Sequence, residues 1–108
     1  MDNNRLLPLG SIVLLEGGVQ KLIIISRALN VKHGERVFFF DYGAVPYPDG
    51  LMGDQMVYFQ RNNVSRVIFE GFRDEEDDNL NDAIEKYILA HPDLLRGTPE
   101  AWDEEEEQ

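Results

Sequence analysis

The two histidines are the first candidates for chemistry, because histidine is the side chain whose ordinary pKa lies near neutrality. His33 lies in a Lys-His-Gly turn sequence, and His91 lies at the end of a helical pattern, directly before Pro92. A protonated imidazole at a helix end would suit the negative pole of the helix dipole. We therefore expect His33 and His91 to have surface and capping roles.

Serine, cysteine and glycine lack the patterns that would make them catalytic or phosphate-binding. Ser11, Ser26 and Ser65 lie in or beside apolar strands, without the Gly-x-Ser-x-Gly elbow that exposes a serine nucleophile. The chain has no cysteine, which excludes disulfides, thiol catalysis and thiolate metal sites. The Gly17-Gly18 pair is followed by no phosphate-loop pattern, which leaves it as a turn. The sequence therefore predicts a protein without catalytic residues or a cofactor.

An acidic run, DEEDDNLND over residues 74–82, could offer the carboxylate oxygens that calcium prefers. A calcium loop needs a glycine at its sixth position and acids at alternate positions, whereas this run has adjacent acids and no glycine. We therefore predict a solvated linker that leads into a helix, and no metal site.

The stretch FDYGAVPYPDG, residues 40–50, is the strongest candidate for a binding element. Its prolines fix φ at about −65°, and its Asp-Gly pair favours a turn. Rigid tyrosines lose little conformational entropy on contact and suit protein interfaces. The alternative is a stiff crossover that packs its tyrosines on the domain's own core. The residues that we predict to contact a partner are Tyr42, Val45, Tyr47, Pro48 and Asp49.

Five apolar segments are predicted to form the β-strands that position this loop. The first two are joined by the diglycine, which suits a tight hairpin turn. A helix is predicted over residues 79–90, where apolar side chains recur at helical spacing, with Asp78 or Asn79 as its N-cap. The strand segments are residues 11–16, 21–29, 35–42, 55–60 and 65–71.

Three strand segments contain the nearly continuous apolar runs IVLL, LIII and VFFF. A strand with one solvated face alternates apolar and polar residues, so these strands need cover on both faces. One helix of roughly 18 Å covers one face of a small sheet, and barrel closure or another chain must cover the rest. The sequence therefore predicts an α+β fold: about five mostly antiparallel strands, in a sheet or a small, partly open barrel, with one C-terminal helix packed on it.

The 108-residue chain has room for one domain, which we place at residues 6–97. The net charge is −11, but ten of the 21 acids lie in residues 74–78 and 103–107, so the remainder is nearly neutral. We predict that residues 98–108 form an acidic, flexible tail.

The charge and the hydropathy also indicate which surroundings suit the protein. Acidic surfaces disfavour nucleic acids and anionic membranes, and no stretch approaches the ~18 apolar residues needed to cross a bilayer. The first residues lack the basic and apolar regions of a secretory signal. The expected location is the cytoplasm.

Four motifs between residues 6 and 90 carry a resemblance to a known family. They are Leu7-Pro8-Leu9-Gly10-Ser11, the Gly17-Gly18 turn with the aliphatic strand after it, the loop from Tyr42 to Gly50, and Phe69-Glu70-Gly71-Phe72. In this order they resemble a family of small acidic proteins from Gram-positive bacteria, catalogued as a domain of unknown function. Its members are typically encoded beside type VII secretion genes and the LXG toxins that those systems export. The resemblance implies an accessory role and supplies no catalytic residues.

Three functions stay open from the sequence. The first is a non-enzymatic protein-binding module, a chaperone or targeting adaptor for an LXG toxin, with the toxin, a secretion component or a second copy of the chain as partner. The second is an immunity protein that occludes a toxin's active site. The third is a small enzyme or ligand-binding barrel that uses His33, Asp41 and Tyr42 around a pocket.

Overall fold

The computed structural model describes residues 5–106. Five strands and two helices are present in this part of the chain, together with a 3₁₀ turn over Arg61–Asn63. In chain order they are β1 (Ile12–Leu15), β2 (Leu22–His33), β3 (Arg36–Pro46), β4 (Val57–Phe59), β5 (Val64–Phe69), α1 (Glu75–Ala90) and α2 (Pro99–Glu106).

The strands form one open antiparallel sheet in the order β4-β3-β2-β1-β5. Its centre is the long β2–β3 hairpin, which runs from the pair Leu22–Pro46 to the pair His33–Arg36. Gly34 has a φ of 65° and allows the tight turn at the hairpin's end. The predicted α+β class and antiparallel sheet are confirmed, and the sheet does not close into a barrel.

The hydrophobic core lies between the sheet and α1. Apolar side chains from the N-terminal segment, four strands and α1 form one cluster, and the buried strand residues meet the helix through Ile84. Burying these side chains is the main contribution to the stability of the fold. The cluster consists of Leu6, Val13, Leu22, Ile24, Tyr42, Ala44, Phe59 and Ile84.

Helix α1 begins earlier than the sequence predicted, and the predicted solvated linker is wrong. The helix starts at Glu75, and Asp74 is its N-cap because its carboxylate accepts a hydrogen bond of 3.1 Å from the backbone N–H of Asp77. Acidic residues in the first turn are stabilised by the positive end of the helix dipole. The run that looked like a repelling block therefore forms the first turn of the helix.

Strand β3 also extends further than predicted, so residues 43–46 belong to a strand and not to the loop. Gly43 pairs with Ser26 on one side and Tyr58 on the other. A side chain at this position would place its Cβ 2.6 Å from the methyl carbon of Met56. The glycine thus provides space inside the sheet and does not end the strand.

The C-terminal segment forms helix α2, where the sequence predicted only a flexible tail; residues 107–108 lie outside the described part. Trp102 of α2 stacks on His33 with ring centroids 3.6 Å apart, and it contacts Phe38 and Phe40 of β3. Gly97 precedes this helix and lies against the Phe40 ring. The chain therefore supplies part of the second cover that its apolar strands require.

Candidate functional site

The predicted binding residues lie at different depths in the structure. Tyr42 and Val45 are buried in β3, and the Tyr42 hydroxyl accepts a hydrogen bond of 2.8 Å from the backbone N–H of Leu7. Tyr47, Pro48 and Asp49 lie on the surface. The exposed contact surface offered by this stretch is therefore its second half.

The exposed half of the loop is held against the β1–β2 turn. The backbone N–H of Tyr47 donates to the carbonyl of Lys21 at 2.9 Å, and the side-chain amide of Gln20 donates to the carbonyl of Tyr47 at 2.9 Å. The ammonium of Lys21 lies 5.8 Å from the centre of the Tyr47 ring. The loop has defined anchors, and its binding role stays a prediction.

Asp41 is the centre of a buried polar cluster that joins β3 to the 3₁₀ turn and to the segment after α1. Its carboxylate accepts hydrogen bonds from the backbone N–H of Arg61 at 2.8 Å, from Arg61 Nε at 3.2 Å and from Arg96 Nη1 at 2.9 Å. The side-chain oxygen of Gln60 accepts from Arg96 at 2.9 Å and from the backbone N–H of Asp41 at 3.2 Å. This cluster stabilises the meeting point of three segments.

The electrostatics of the cluster hold Asp41 in its ionised form. Burial would raise the pKa of the Asp41 carboxyl, but the hydrogen bonds from Arg96 and Arg61 outweigh burial and keep that pKa below its ordinary value. Burial raises the pKa of Tyr42. Asp41 is ion-paired with two guanidinium groups at neutral pH, and this arrangement suits a structural role and not proton transfer.

The three residues of the enzyme hypothesis do not meet in one cavity. Asp41 lines a cavity with Arg61 and Arg96, whereas Tyr42 lines a different one with Arg5. His33 lies at the end of β2, half-buried against Trp102. Among residues 5–106, the cavities that Asp41 and Tyr42 line are therefore different ones, and His33 lines neither of them.

His91 has the capping role that the sequence predicted. It is the C-cap of α1, and its backbone N–H donates to the carbonyl of Ile88 at 3.2 Å. Its Nδ1 atom lies 2.8 Å from the carbonyl oxygen of Tyr87. No group of three or more metal-ligating side chains occurs among residues 5–106.

The edge strand β5 exposes apolar side chains along most of its length. It pairs with β1 on one side, and no described strand lies on its other side. Every residue after Val64 in this strand is exposed, including Val67, Ile68 and Phe69. Unpaired backbone groups beside apolar side chains form a template for another strand. We call Leu9, Val67, Ile68, Phe69 and Phe72 the apolar edge.

Two motifs that carried the family resemblance meet at the apolar edge. The backbone N–H of Gly71 donates to the Ser11 hydroxyl at 2.9 Å, and that hydroxyl donates to the carbonyl of Pro8 at 2.8 Å. A side chain at Gly71 would overlap the Leu9 carbonyl, so glycine allows the close approach. This arrangement places Leu9 and Phe72 on the surface, where Phe72 is 80% exposed.

The apolar edge was missed because the sequence gives no register for β5. SRVIFEG alternates poorly, and its apolar run VIF is the shortest of the strand segments. The usable signal was the motif Phe-Glu-Gly-Phe, which puts two large aromatic residues around a glycine and an acid.

A family model described as "Domain of unknown function (DUF4176)" matches residues 6–80. No curated protein and no solved structure matches the chain. The match contains the whole sheet, the apolar edge and the first turns of α1, and it ends before α2. No helix in the described part of the chain is both long enough and apolar enough to cross a bilayer.

Proposed function

We propose a protein-binding function for this chain, which belongs to the DUF4176 family of domains of unknown function. In this proposal the protein is a non-enzymatic module, and its partner adds an extended strand to the free side of β5. The observation that carries the proposal is the exposure of nearly all of β5 at the open edge of the sheet.

Strand addition would use both components of the edge. The main chain of the partner would pair with the outward backbone groups of β5, and alternate side chains would fit beside Val67, Ile68 and Phe69. An apolar surface of this kind is a liability in a protein that acts alone, because it also templates aggregation. Its presence therefore supports a partner that covers it.

The resemblance to proteins encoded beside type VII secretion genes gives the proposal its finer form. We place the protein in the cytoplasm as a chaperone or targeting adaptor that holds an LXG toxin, or a secretion component, before export. An extended segment of an exported protein that has not yet folded has free backbone groups, which a sheet edge can pair. Tyr47, Pro48 and Asp49 remain a proposed second contact.

Co-purification from a Gram-positive host tests the proposal. The tagged chain is purified with its neighbouring LXG toxin co-expressed, and the retained proteins are identified by mass spectrometry. Val67→Lys places a charge on the β5 edge and is expected to abolish retention of the toxin. Val57→Lys is the matched control, because Val57 is a partly exposed valine on β4, the edge strand at the other side of the sheet.

Retention by both variants would contradict strand addition at either edge, and loss by Val57→Lys alone would move the site to β4. Solution mass measured without the toxin shows whether a second copy covers the edge: a dimer that Val67→Lys converts to a monomer would assign β5 to self-association. Rescue of growth in cells that contain the folded, active toxin would instead support the immunity function.

A further inference from the structure

A cavity of about 540 Å³ lies between the sheet and helix α2. Its walls come from the end of β1, from β3, from the segment leading into β4 and β4 itself, and from the residues around the start of α2. Most of this lining is apolar. The apolar walls are Leu15, Phe40, Met56, Tyr58, Phe59 and Trp102.

Two carboxylates join these apolar walls. Glu16, which follows β1, and Asp103, which lies on α2, both line the cavity, and no described lining residue is basic. Helix α2 adds further acids and contains no lysine or arginine. Two other cavities of similar size differ in kind, because arginines line both of them. The cavity under α2 therefore combines an apolar interior with a negative rim.

We propose that this cavity binds an apolar side chain that is flanked by lysine or arginine in a partner polypeptide. The apolar side chain would fill the space beside Phe40, Met56 and Trp102, and the flanking cations would lie near Glu16 and Asp103. Complementary charge favours the approach of a basic segment and disfavours an acidic one. Pockets that bury an apolar anchor carry much of the affinity of protein contacts.

This inference rests on the proposed protein-binding function, but it concerns a different site from the apolar edge. The edge would pair with the backbone of a partner whatever its charge, whereas the cavity selects side chains. Part of the cavity is formed by residues 97–103, beyond the family match. The cavity would therefore select among partners that the sheet edge alone accepts.

Titration of three blocked peptides into the full chain, followed by NMR, tests the proposal. The peptides are Lys-Lys-Phe-Leu-Lys-Lys, its counterpart with glutamates in place of the lysines, and Lys-Lys-Gly-Gly-Lys-Lys. Trp102 is the chain's single tryptophan, so its indole N–H gives one assignable signal on the cavity wall. We expect the first peptide alone to shift this signal with saturation.

The variant Glu16→Gln/Asp103→Asn removes both rim charges without a large change in shape. It is expected to weaken the first peptide about tenfold, because each exposed ion pair contributes a modest amount and two act together. Asp54→Asn/Asp93→Asn is the matched control, since both aspartates are exposed and neither lines this cavity. The control variant is expected to bind the peptide as the original chain does.

Any of the following results would overturn the proposal: equal binding of the glutamate peptide, equal binding of the Gly-Gly peptide, or equal weakening in the two double variants. Binding that leaves the Trp102 signal unmoved would also overturn it. Failure here leaves the Val67→Lys experiment unaffected, because that variant changes only β5. Conversely, if Val67→Lys loses toxin retention but still binds the first peptide, the apolar edge and the cavity are separate sites.

Discussion

Replacing Asp41 with asparagine is expected to destabilise the protein strongly, although the two side chains have nearly the same shape. In the structure the carboxylate accepts three hydrogen bonds from Arg61, at 2.8, 3.2 and 3.5 Å, and one of 2.9 Å from Arg96. An amide has one acceptor oxygen, so its NH₂ group must face one of these donors. The substitution removes a charge-assisted hydrogen bond and the anion that both guanidinium groups share, although Arg61 keeps its ion pair with Glu85 at 3.5 Å.

The magnitude follows from how far the guanidinium groups are buried. Removing one member of a buried ion pair costs roughly 3 to 5 kcal/mol. Here the Arg61 and Arg96 side chains are 25% and 39% exposed, so both can recover part of their hydration. We therefore expect a loss of about 2 to 3 kcal/mol in the free energy of unfolding. For a domain of this size that corresponds to a fall in Tm of roughly 10 to 20 °C.

Urea unfolding at neutral pH, followed by circular dichroism, measures this loss. Asp49→Asn is the control, because Asp49 is exposed and a surface change of this type is expected to stay within about 0.5 kcal/mol. If Asp41→Asn unfolds at the same urea concentration and with the same slope as the original chain, the cluster does not stabilise the fold and the reasoning is wrong.

The same substitution makes the stability difference depend on pH. Because the folded-state pKa of Asp41 lies below its ordinary value of 3.8, ionised Asp41 contributes stability that is fully present above that value. The contribution is lost as the pH falls through the lower, folded-state pKa. The difference in unfolding free energy between the original chain and Asp41→Asn is therefore expected to be constant near neutrality and to shrink in acid. A difference that grows in acid would contradict the assigned direction.

Two further substitutions test the packing at the edges of the fold. Ser11→Ala removes a fully buried hydroxyl and leaves the backbone N–H of Gly71 without its acceptor. We expect urea unfolding to show a loss of about 1 to 2 kcal/mol in the free energy of unfolding. Ser65→Ala removes an exposed hydroxyl and is expected to cost little. Gly97→Ala would force a methyl group into the Phe40 ring and is expected to lower the free energy of unfolding by roughly 1 to 3 kcal/mol. Tryptophan fluorescence is expected to shift to the red as α2 moves away. Gly18→Ala has room for its methyl group and is expected to show neither effect.

The sequence predicted the sheet well because strand-forming residues and turn signals are local. All five strands lie where apolar runs were found, and the diglycine ends the first of them. The end of β3, one of the boundaries that failed, was set by a partner strand distant in sequence. Residues 43–46 extend β3 because β2 pairs with them along their length, and no pattern within those four residues indicates that pairing.

The candidate site was harder to predict, because exposure depends on which neighbour covers a side chain. Tyr42 and Tyr47 have the same side chain and lie five positions apart, yet one is buried in the core cluster and the other is on the surface. Val45 is buried and Val67 is exposed, although both lie in strands. Strand position decides the difference, since β3 is central and β5 is at the edge.

The sequence by itself determined the α+β class, the number of strands, the presence of α1 and the lack of cysteine chemistry, because each depends on residue type or short-range spacing. Only the tertiary structure decided the order of the strands, the ionised Asp41 cluster, the cover that Trp102 gives to β3 and the exposure of β5. Those features arise from contacts between residues far apart in the chain, and the free energy of such contacts depends on distances and burial that exist only after folding.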